Sequence, residues 1–314
     1  MSSITPITLN ANGIIPIPNY HLKAVLGATT IDRGLVNVRP KYQDKVEIIR
    51  MSSSANSLHA PVVTPTAGVG QFQITNRLIT LGDAMYYREF SPIRDFENEY
   101  QWQYNRGKLN EAQLASITET AVKELATSDL ADGVENLIWN GNTASADPYL
   151  NRADGLIKLL DADSDTDLNN VTFGAVLTAT NILDKFQDMI DACPAAVLEQ
   201  LNIRFVVSYS DLQKYYAAIR DSVITKGINI MDPGVARFAG IPIVSCGIPE
   251  NKVVLGVFDG GQDGQLQAAT WMNEDRSGLL VERLQNNSEL FFIKALFKWG
   301  INYRLGAEIV YGKV

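Results

Sequence analysis

Residues 110–142 read NEAQLASITETAVKELATSDLADGVENLIWNGN. Asn110 stands where a helix cap belongs, and Gln113 three residues on completes a capping-box-like pair. Leu114, Ile117, Ala121, Val122, Leu125, Val134, Leu137 and Ile138 then recur at mostly helical spacing. No proline interrupts until Pro148, and Asn140-Gly141 is a good stop. The spacing predicts a helix of roughly 28 residues, on the order of 40 Å at 1.5 Å per residue. Helices of globular domains average about 11–12 residues. The apolar stripe is too loose for a heptad, so a coiled coil is not expected. A long helix lying along a domain as its backbone is the simpler picture.

Upstream, residues 1–45 show no sustained period. Pro6, Pro16, Pro18 and Pro40 favour extended chain. Ile14, Ile15, Ile17, Val25, Leu26, Leu35 and Val36 make the segment too apolar for a free tail. It reads as an extended arm that leans on its own domain or on a neighbouring subunit. From Val46 to Met51 apolar and polar residues partly alternate, and Phe72, Ile74, Leu78 and Thr80 resume that pattern. Between them lies a polar and proline-rich stretch with Ser52–Ser57, Pro61, Pro65, Gly68 and Gly70. Two strands around an irregular tip of roughly 18 residues exceed a tight hairpin, and irregular stretches of that length are usually functional. The expectation is a projecting two-stranded arm.

Residues 85–106 are dense in aromatics and Arg: Tyr86, Tyr87, Arg88, Glu89, Phe90, Arg94, Phe96 and Trp102 stand out. Aromatics with Arg can stack nucleic acid bases. Six acids against five Arg across 46–107 argue against that. Protein interfaces favour the same residue types, so these eight are the candidate inter-subunit contacts.

Downstream, a second helix is expected over 172–190, capped by Thr172 and ended by Pro194. A short buried strand follows at Ile203–Ser208, and Ser210 with Gln213 opens a third helix to about Arg220. Strands are expected at Ile241–Cys246, Val253–Phe258, Gln265–Met272, Leu279–Leu284, Leu290–Trp299 and Tyr303–Tyr311. A mixed middle and a strand-rich end make an α+β arrangement.

Composition narrows the function. The 314 residues are 46% apolar, which excludes wholesale disorder. The formal charge of −8 makes the chain a poor candidate for gripping nucleic acid, an affinity that comes from Lys and Arg on phosphates. Cys193 and Cys246 lie far apart in apolar stretches and read as reduced core residues. Met1–Asn12 has neither a basic n-region nor an apolar h-region, and no window approaches 18 consecutive apolar residues. Neither secretion nor a membrane span is expected, and folding belongs in a cytoplasm.

Catalysis finds no positive support. There is no G-x-S-x-G elbow, no G-x-x-x-x-G-K-[ST] loop and no G-x-G-x-x-G. The two histidines, His21 and His59, both lie in extended stretches without metal spacing. Asp161, Asp163, Asp165 and Asp167 imitate the opening of a calcium loop, but Thr166 replaces its glycine and Thr172 its closing glutamate. An exposed acidic loop ahead of a helix explains the alternation without a metal. No catalytic residue, cofactor or metal site is expected.

Several stretches resemble the HK97-like major capsid proteins of tailed bacteriophages. Arg77-Leu-Ile-Thr-Leu81, Met85-Tyr-Tyr and Glu89-Phe-Ser-Pro92 resemble the return from that family's extended loop into its spine helix. Glu135-Asn-Leu-Ile-Trp-Asn-Gly-Asn142 with Asp154-Gly-Leu156 is similar to its passage out of the spine helix. Phe238-Ala-Gly-Ile-Pro-Ile-Val244 and Val253-Val-Leu-Gly256 resemble its paired strands, and Phe291 to Tyr311 its closing strands. The resemblance covers nearly the whole chain from about residue 45.

It implies an HK97-like α+β subunit with an N-terminal arm (1–45), an extended loop and return (46–106), a first peripheral part with the spine helix (107–164), an axial domain (165–275) and a second peripheral part (276–314). It also implies partners: copies of the chain itself in pentamers and hexamers of an icosahedral shell, a portal, and double-stranded DNA touched weakly and without sequence specificity. Some members crosslink through a loop-borne Lys, and no Lys occurs between Lys45 and Lys108. Some carry a charged helical N-terminal scaffold, which residues 1–45 are not, so scaffolding is expected as a separate protein. Six acids against one Lys on the long helix (Glu111, Glu119, Glu124, Asp129, Asp132, Glu135; Lys123) suit a face turned towards packed DNA. Two alternatives remain: an encapsulin, whose cargo-docking N-terminal helix the extended segment 1–45 does not match, and an α+β enzyme with an unrecognised acidic site.

Overall fold

The structure is a computed structural model. It describes residues 28–53, 72–91, 116–163, 168–226, 236–261, 264–271, 280–284 and 290–314. The tip of the two-stranded arm, the first 27 residues and the start of the long helix therefore lie outside the described residues. No helix among the described residues is long and apolar enough to cross a membrane.

The elements in chain order are α1 (Thr29–Asp32), β1 (Val36–Arg39), β2 (Lys45–Ser53), β3 (Phe72–Thr80), β4 (Gly82–Phe90), α2 (Ser116–Asn140) and α3 (Leu156–Ala162). They continue with β5 (Asn169–Thr172), α4 (Ile182–Asp191), α5 (Ala195–Leu198), β6 (Ile203–Ser208), α6 (Tyr209–Lys226), β7 (Arg237–Phe238) and β8 (Ile241–Cys246). The chain closes with β9 (Val253–Val257), β10 (Leu266–Trp271), β11 (Leu280–Arg283), β12 (Phe291–Tyr303) and β13 (Ile309–Lys313).

Three sheets result. One has five strands, with β12 pairing β10, β11 and β4, and β1 joined parallel to β10. A six-stranded sheet runs β5-β13-β9-β6-β8-β7. β2 and β3 form a separate antiparallel ribbon.

The middle strands of the six-stranded sheet, β6 and β9, are buried on both faces, which is why they read as near-continuous apolar runs. Period two sorts its side chains. Phe205, Val207, Val253 and Leu255 join the core under α4 and α6, where Phe186 stacks on Phe205 with ring centroids 4.9 Å apart. Val206 and Val254 point the other way, into a core shared with α2 and the five-stranded sheet. Burying a large apolar side chain is worth about 1.5–3 kcal/mol, so these two layers hold the chain together.

Helix α2 ends at Asn140, as its stop signal predicts. Leu130, Val134, Leu137, Ile138 and Trp139 bury its stripe. Gly141 and Gly155 then cross at backbone contact: the Gly155 amide donates to the Gly141 carbonyl at 2.8 Å. A Cβ on Gly155 would stand 2.6 Å from the Gly141 nitrogen. That close approach is the physical content of the "N-G" and "G-L" segments.

Three expectations are corrected. Residues 172–190 are not one helix: β5 ends at Thr172, which pairs parallel with Lys313, and the helix begins at Ile182. The Leu177 amide donates to Asn251 Oδ1 at 2.8 Å, holding the intervening loop on the sheet rather than in a helical turn. Helix α6 starts two residues earlier than expected, capped by Ser208 rather than Ser210. The Asp211 amide donates to Ser208 Oγ at 3.0 Å, and that hydroxyl donates to Asp211 Oδ2 at 2.8 Å. The two expected closing strands, Leu290–Trp299 and Tyr303–Tyr311, are rearranged into the 13-residue β12 and the short β13. Sheet pairing runs across the division at residue 275. β10, expected with the axial part, belongs to the five-stranded sheet, while β13, expected with the peripheral part, pairs with β5 and β9.

The arm question is answered for its described end. Ala28, Ile31, Leu35 and Val36 are buried in the chain's own main core, so residues 28–36 lean on their own domain.

Candidate inter-subunit surface

The ribbon pairs from Lys45 opposite Thr80 to Ser53 opposite Phe72. One face sits on the body: Val46, Ile48, Ile79 and Leu81 cluster with Ala269 and Trp271. Its other face carries four exposed apolar side chains among the polar Lys45, Glu47, Asn76 and Thr80. Ile49, Met51, Ile74 and Leu78 are 58%, 63%, 63% and 50% exposed. A two-stranded ribbon is marginal by itself, and a contiguous exposed apolar face marks a contact surface. Sequence reasoning picked out the ribbon and missed this face. The signal was present in the apolar residues of both parities, Val46 and Ile48 on one side, Ile49 and Met51 on the other.

The ribbon is tied at its base. Asn302 Nδ2 donates to the Leu78 carbonyl at 2.8 Å. Gly300 of β12 lies under the crossing, where a Cβ would stand 2.5 Å from the Thr80 carbonyl oxygen. Arg77 donates through Nη2 to Asp163 Oδ2 at 2.5 Å, and its guanidinium lies 4.1 Å from the Tyr303 ring centroid. The Tyr303 hydroxyl donates to the same carboxylate oxygen.

Strand β4 holds five of the eight candidate residues and divides them by period two. Tyr86 and Phe90 face the chain's own interior, packed with Val122 and Ala126 of α2 and Ile293 and Ala295 of β12. The Tyr86 hydroxyl donates to Asp129 Oδ2 at 3.1 Å; burial and that carboxylate raise its pKa above the ordinary phenol value. Phe90 stacks on Phe291. Tyr87 and Glu89 stand on the outer face, and Arg88 is exposed as well. The Tyr87 hydroxyl donates to Glu89 Oε1 at 2.5 Å, and its ring lies 5.8 Å from that of Phe292. Met85 and Leu296, opposite each other in the register, extend this outer face. Arg94, Phe96 and Trp102 lie outside the described residues.

A 460 Å³ groove runs between β4 and α2, lined among others by Tyr86, Arg88, Asp129, Asp132, Tyr149 and Arg152. Charges of both signs meet there without a nucleophile beside a base. Among the described residues no group of three or more His, Cys, Asp or Glu is disposed to hold a metal. The two described aspartates of the calcium-like run serve other partners. Asp161 accepts from Lys313 Nζ at 2.7 Å and Lys252 Nζ at 3.3 Å, while Asp163 accepts from Arg77 and Tyr303. Cys193 and Cys246 are free and buried; burial pushes the Cys193 thiol up to about 11 and that of Cys246 higher still, so neither offers a ready thiolate.

The acids of the long helix divide too. Glu124, Asp129 and Asp132 are exposed, but Glu135 is buried and does not belong to an outward acidic face. It accepts hydrogen bonds from the Thr30 amide at 2.9 Å, the Thr30 hydroxyl at 2.5 Å and the Gly247 amide at 2.8 Å.

No protein-family model matches the sequence, and no curated protein sequence matches it either. Solved structures do match by shape. A subunit of the satellite phage P4 procapsid, solved with its size determination (Sid) protein, is similar at a TM-score of 0.59 and 12% identity, covering 99% of this chain and 92% of that one. The capsid of a native GTA particle is similar at 0.54 and 14% identity, covering 100% and 95%. The capsid of Myoviridae phage XM1 is similar at 0.52 and 11% identity, covering 90% and 91%. The chain thus has the α+β, HK97-like capsid fold.

Proposed function

We propose that this chain is the major subunit of an icosahedral phage shell, a structural protein without a catalytic role. One observation carries the reading: the ribbon on this capsid fold presents apolar side chains, Ile49, Met51, Ile74 and Leu78, that no described residue covers. Four large apolar side chains left more than half or half exposed have a partner surface to find, and a lattice of copies supplies one. The outer face of β4 and β12, with Met85, Tyr87, Glu89 and Leu296, is a second contact surface; Arg88, exposed beside the groove on the other face, and Arg94, Phe96 and Trp102 extend the candidate set. Pentamers and hexamers would tile the shell.

On this reading 1–45 is the arm, 46–106 the extended loop and return, 107–164 and 276–314 the peripheral domain, and 165–275 the axial domain. Sheet pairing supports counting β10 with the peripheral part and β13 with the axial part. The shell would enclose double-stranded DNA, with the exposed Glu124, Asp129 and Asp132 keeping it from adhering. Assembly would take place in a host cytoplasm with a separate scaffolding protein and a portal, ending in a virion.

Expression of the full chain, followed by sedimentation and negative-stain microscopy, tests the proposal. Closed shells or capsomers support it. A monodisperse monomer under all assembly conditions overturns it, and cargo-filled particles without DNA in the source organism would make it a compartment shell instead.

A further inference from the structure

The acidic run after α3 leaves an observation unused. Asp161 and Asp163 lie at one end of a single short helix, yet they grip different parts of the molecule. Asp161 holds Lys313 of β13 and Lys252 beside β9, both on the six-stranded sheet. Asp163 holds Arg77 of the ribbon and Tyr303 of β12. Helix α3 itself is fixed by Leu156, Ile157 and Leu160 in the main core beside α2.

The position of Arg77 along the ribbon matters. It pairs with Ile48, which is buried against the body. The next described positions outward on the uncovered face, Ile49, Met51 and Ile74, are all more than half exposed. Arg77 is therefore the outermost polar tie of the ribbon to its own subunit among the described residues. Its guanidinium is held in two ways at once, by the Asp163 carboxylate and by the Tyr303 ring face, a geometry a planar Arg satisfies and a Lys does not. Side-chain exposures of 23% for Arg77 and 11% for Asp163 screen the pair from water.

We propose that the end of α3 is the fulcrum of the ribbon: Asp163 clamps Arg77 while Asp161, two residues away, grips the six-stranded sheet, so the direction in which the ribbon leaves the subunit is set relative to that sheet. Arg77 and Asp163 are positioning residues. They act through the apolar face they aim, and the consequence for assembly rests on the shell reading above. In a lattice the angle between ribbon and body decides where the next copy docks, and hence the curvature of the shell. A loosened clamp leaves the docking chemistry intact and spoils its direction.

The test uses the full chain with spin labels at Asn76→Cys on the ribbon and Glu199→Cys beyond α5; both positions are exposed, whereas the native cysteines are buried. Pulsed electron resonance reads the distance between them in the unassembled subunit, and microscopy reads the particles. Without further changes the distance distribution is narrow and the particles uniform. Arg77→Ala and the near-isosteric Asp163→Asn broaden and displace the distribution, and their particles become open sheets or mixed sizes. Arg77→Lys, which keeps the charge but not the stacking, gives an intermediate width. An unchanged distribution in Asp163→Asn with native circular dichroism overturns the fulcrum. A parent chain that makes no particles sinks the shell reading alone, and the distances still decide the clamp.

Discussion

Glu135 shows what a single residue does in this fold. Its carboxylate ties α1, α2 and the turn after β8 through three hydrogen bonds, and Trp139 Nε1 completes the cluster by donating to Thr30 Oγ1 at 2.8 Å. Replacing it by Ala leaves the buried Thr30 amide and the part-buried Gly247 amide without their acceptor. Each unmet donor costs about 1–3 kcal/mol, so Glu135→Ala should lower the urea midpoint of unfolding steeply, with Glu135→Gln in between. A midpoint within error of the parent would show that water replaces the carboxylate. Helical spacing alone counted Glu135 among the outward acids. It sits at the edge of the stripe, beside Val134, and its partner Thr30 is 105 residues away. No local pattern reports a contact that distant.

Asp161 makes a pH prediction at the same scale. Burial pushes its carboxyl up, but the ammonium groups of Lys313 and Lys252 outweigh burial and hold it below the ordinary value of 3.8. A folded pKa below the unfolded one stabilises the fold above the ordinary carboxylate range. That contribution is lost as pH falls through the lowered folded value. Asp154, lowered by Lys158 and by the Thr143 hydrogen bonds against its own burial, has the same sign. The melting temperature should hold from pH 7 to about 4 and fall below that, with Asp161→Asn flattening the acid limb; a decline that begins at pH 6 would place the controlling group elsewhere.

At the scale of elements, the docking face of the ribbon separates stability from assembly. Met51→Glu and Ile74→Glu each put a charge on a side chain already more than half exposed. Surface changes of this kind usually stay within about 0.5 kcal/mol, so subunit melting should barely move while particle yield falls sharply in a sedimentation assay. Undiminished shells would show that this face is not an interface. The long helix and the ribbon were legible from their periods, and the strands β6, β8 and β9 from their runs of apolar residues. β12 was less so. Its odd residues from Phe291 to Tyr303 are buried throughout, but Gly300 looks like a strand end until the crossing of Thr80 explains it. β4 was hidden for another reason: its aromatics serve both faces of one strand, so their density masked the alternation that sorts Tyr86 inward and Tyr87 outward.

For the whole molecule, the decisive fact is that the two cores close without the far half of the ribbon. One lies between the six-stranded sheet and α4 and α6, the other between that sheet, α2 and the five-stranded sheet. Among the described residues the ribbon meets the body at its base, through Ile48, Ile79, Asn302 and the Arg77 clamp. Deleting residues 60–70 should therefore leave a subunit that unfolds cooperatively at nearly the parent temperature, because loop-closure entropy changes slowly with length, by roughly 0.6 kcal/mol per doubling. On the shell reading the same deletion should cripple assembly, since it shortens the segment proposed to reach a neighbouring copy. Sedimentation and calorimetry on one sample separate the two effects. A chain that no longer folds would make the tip part of the core and place the boundary between subunit and lattice contact somewhere other than the base of the ribbon.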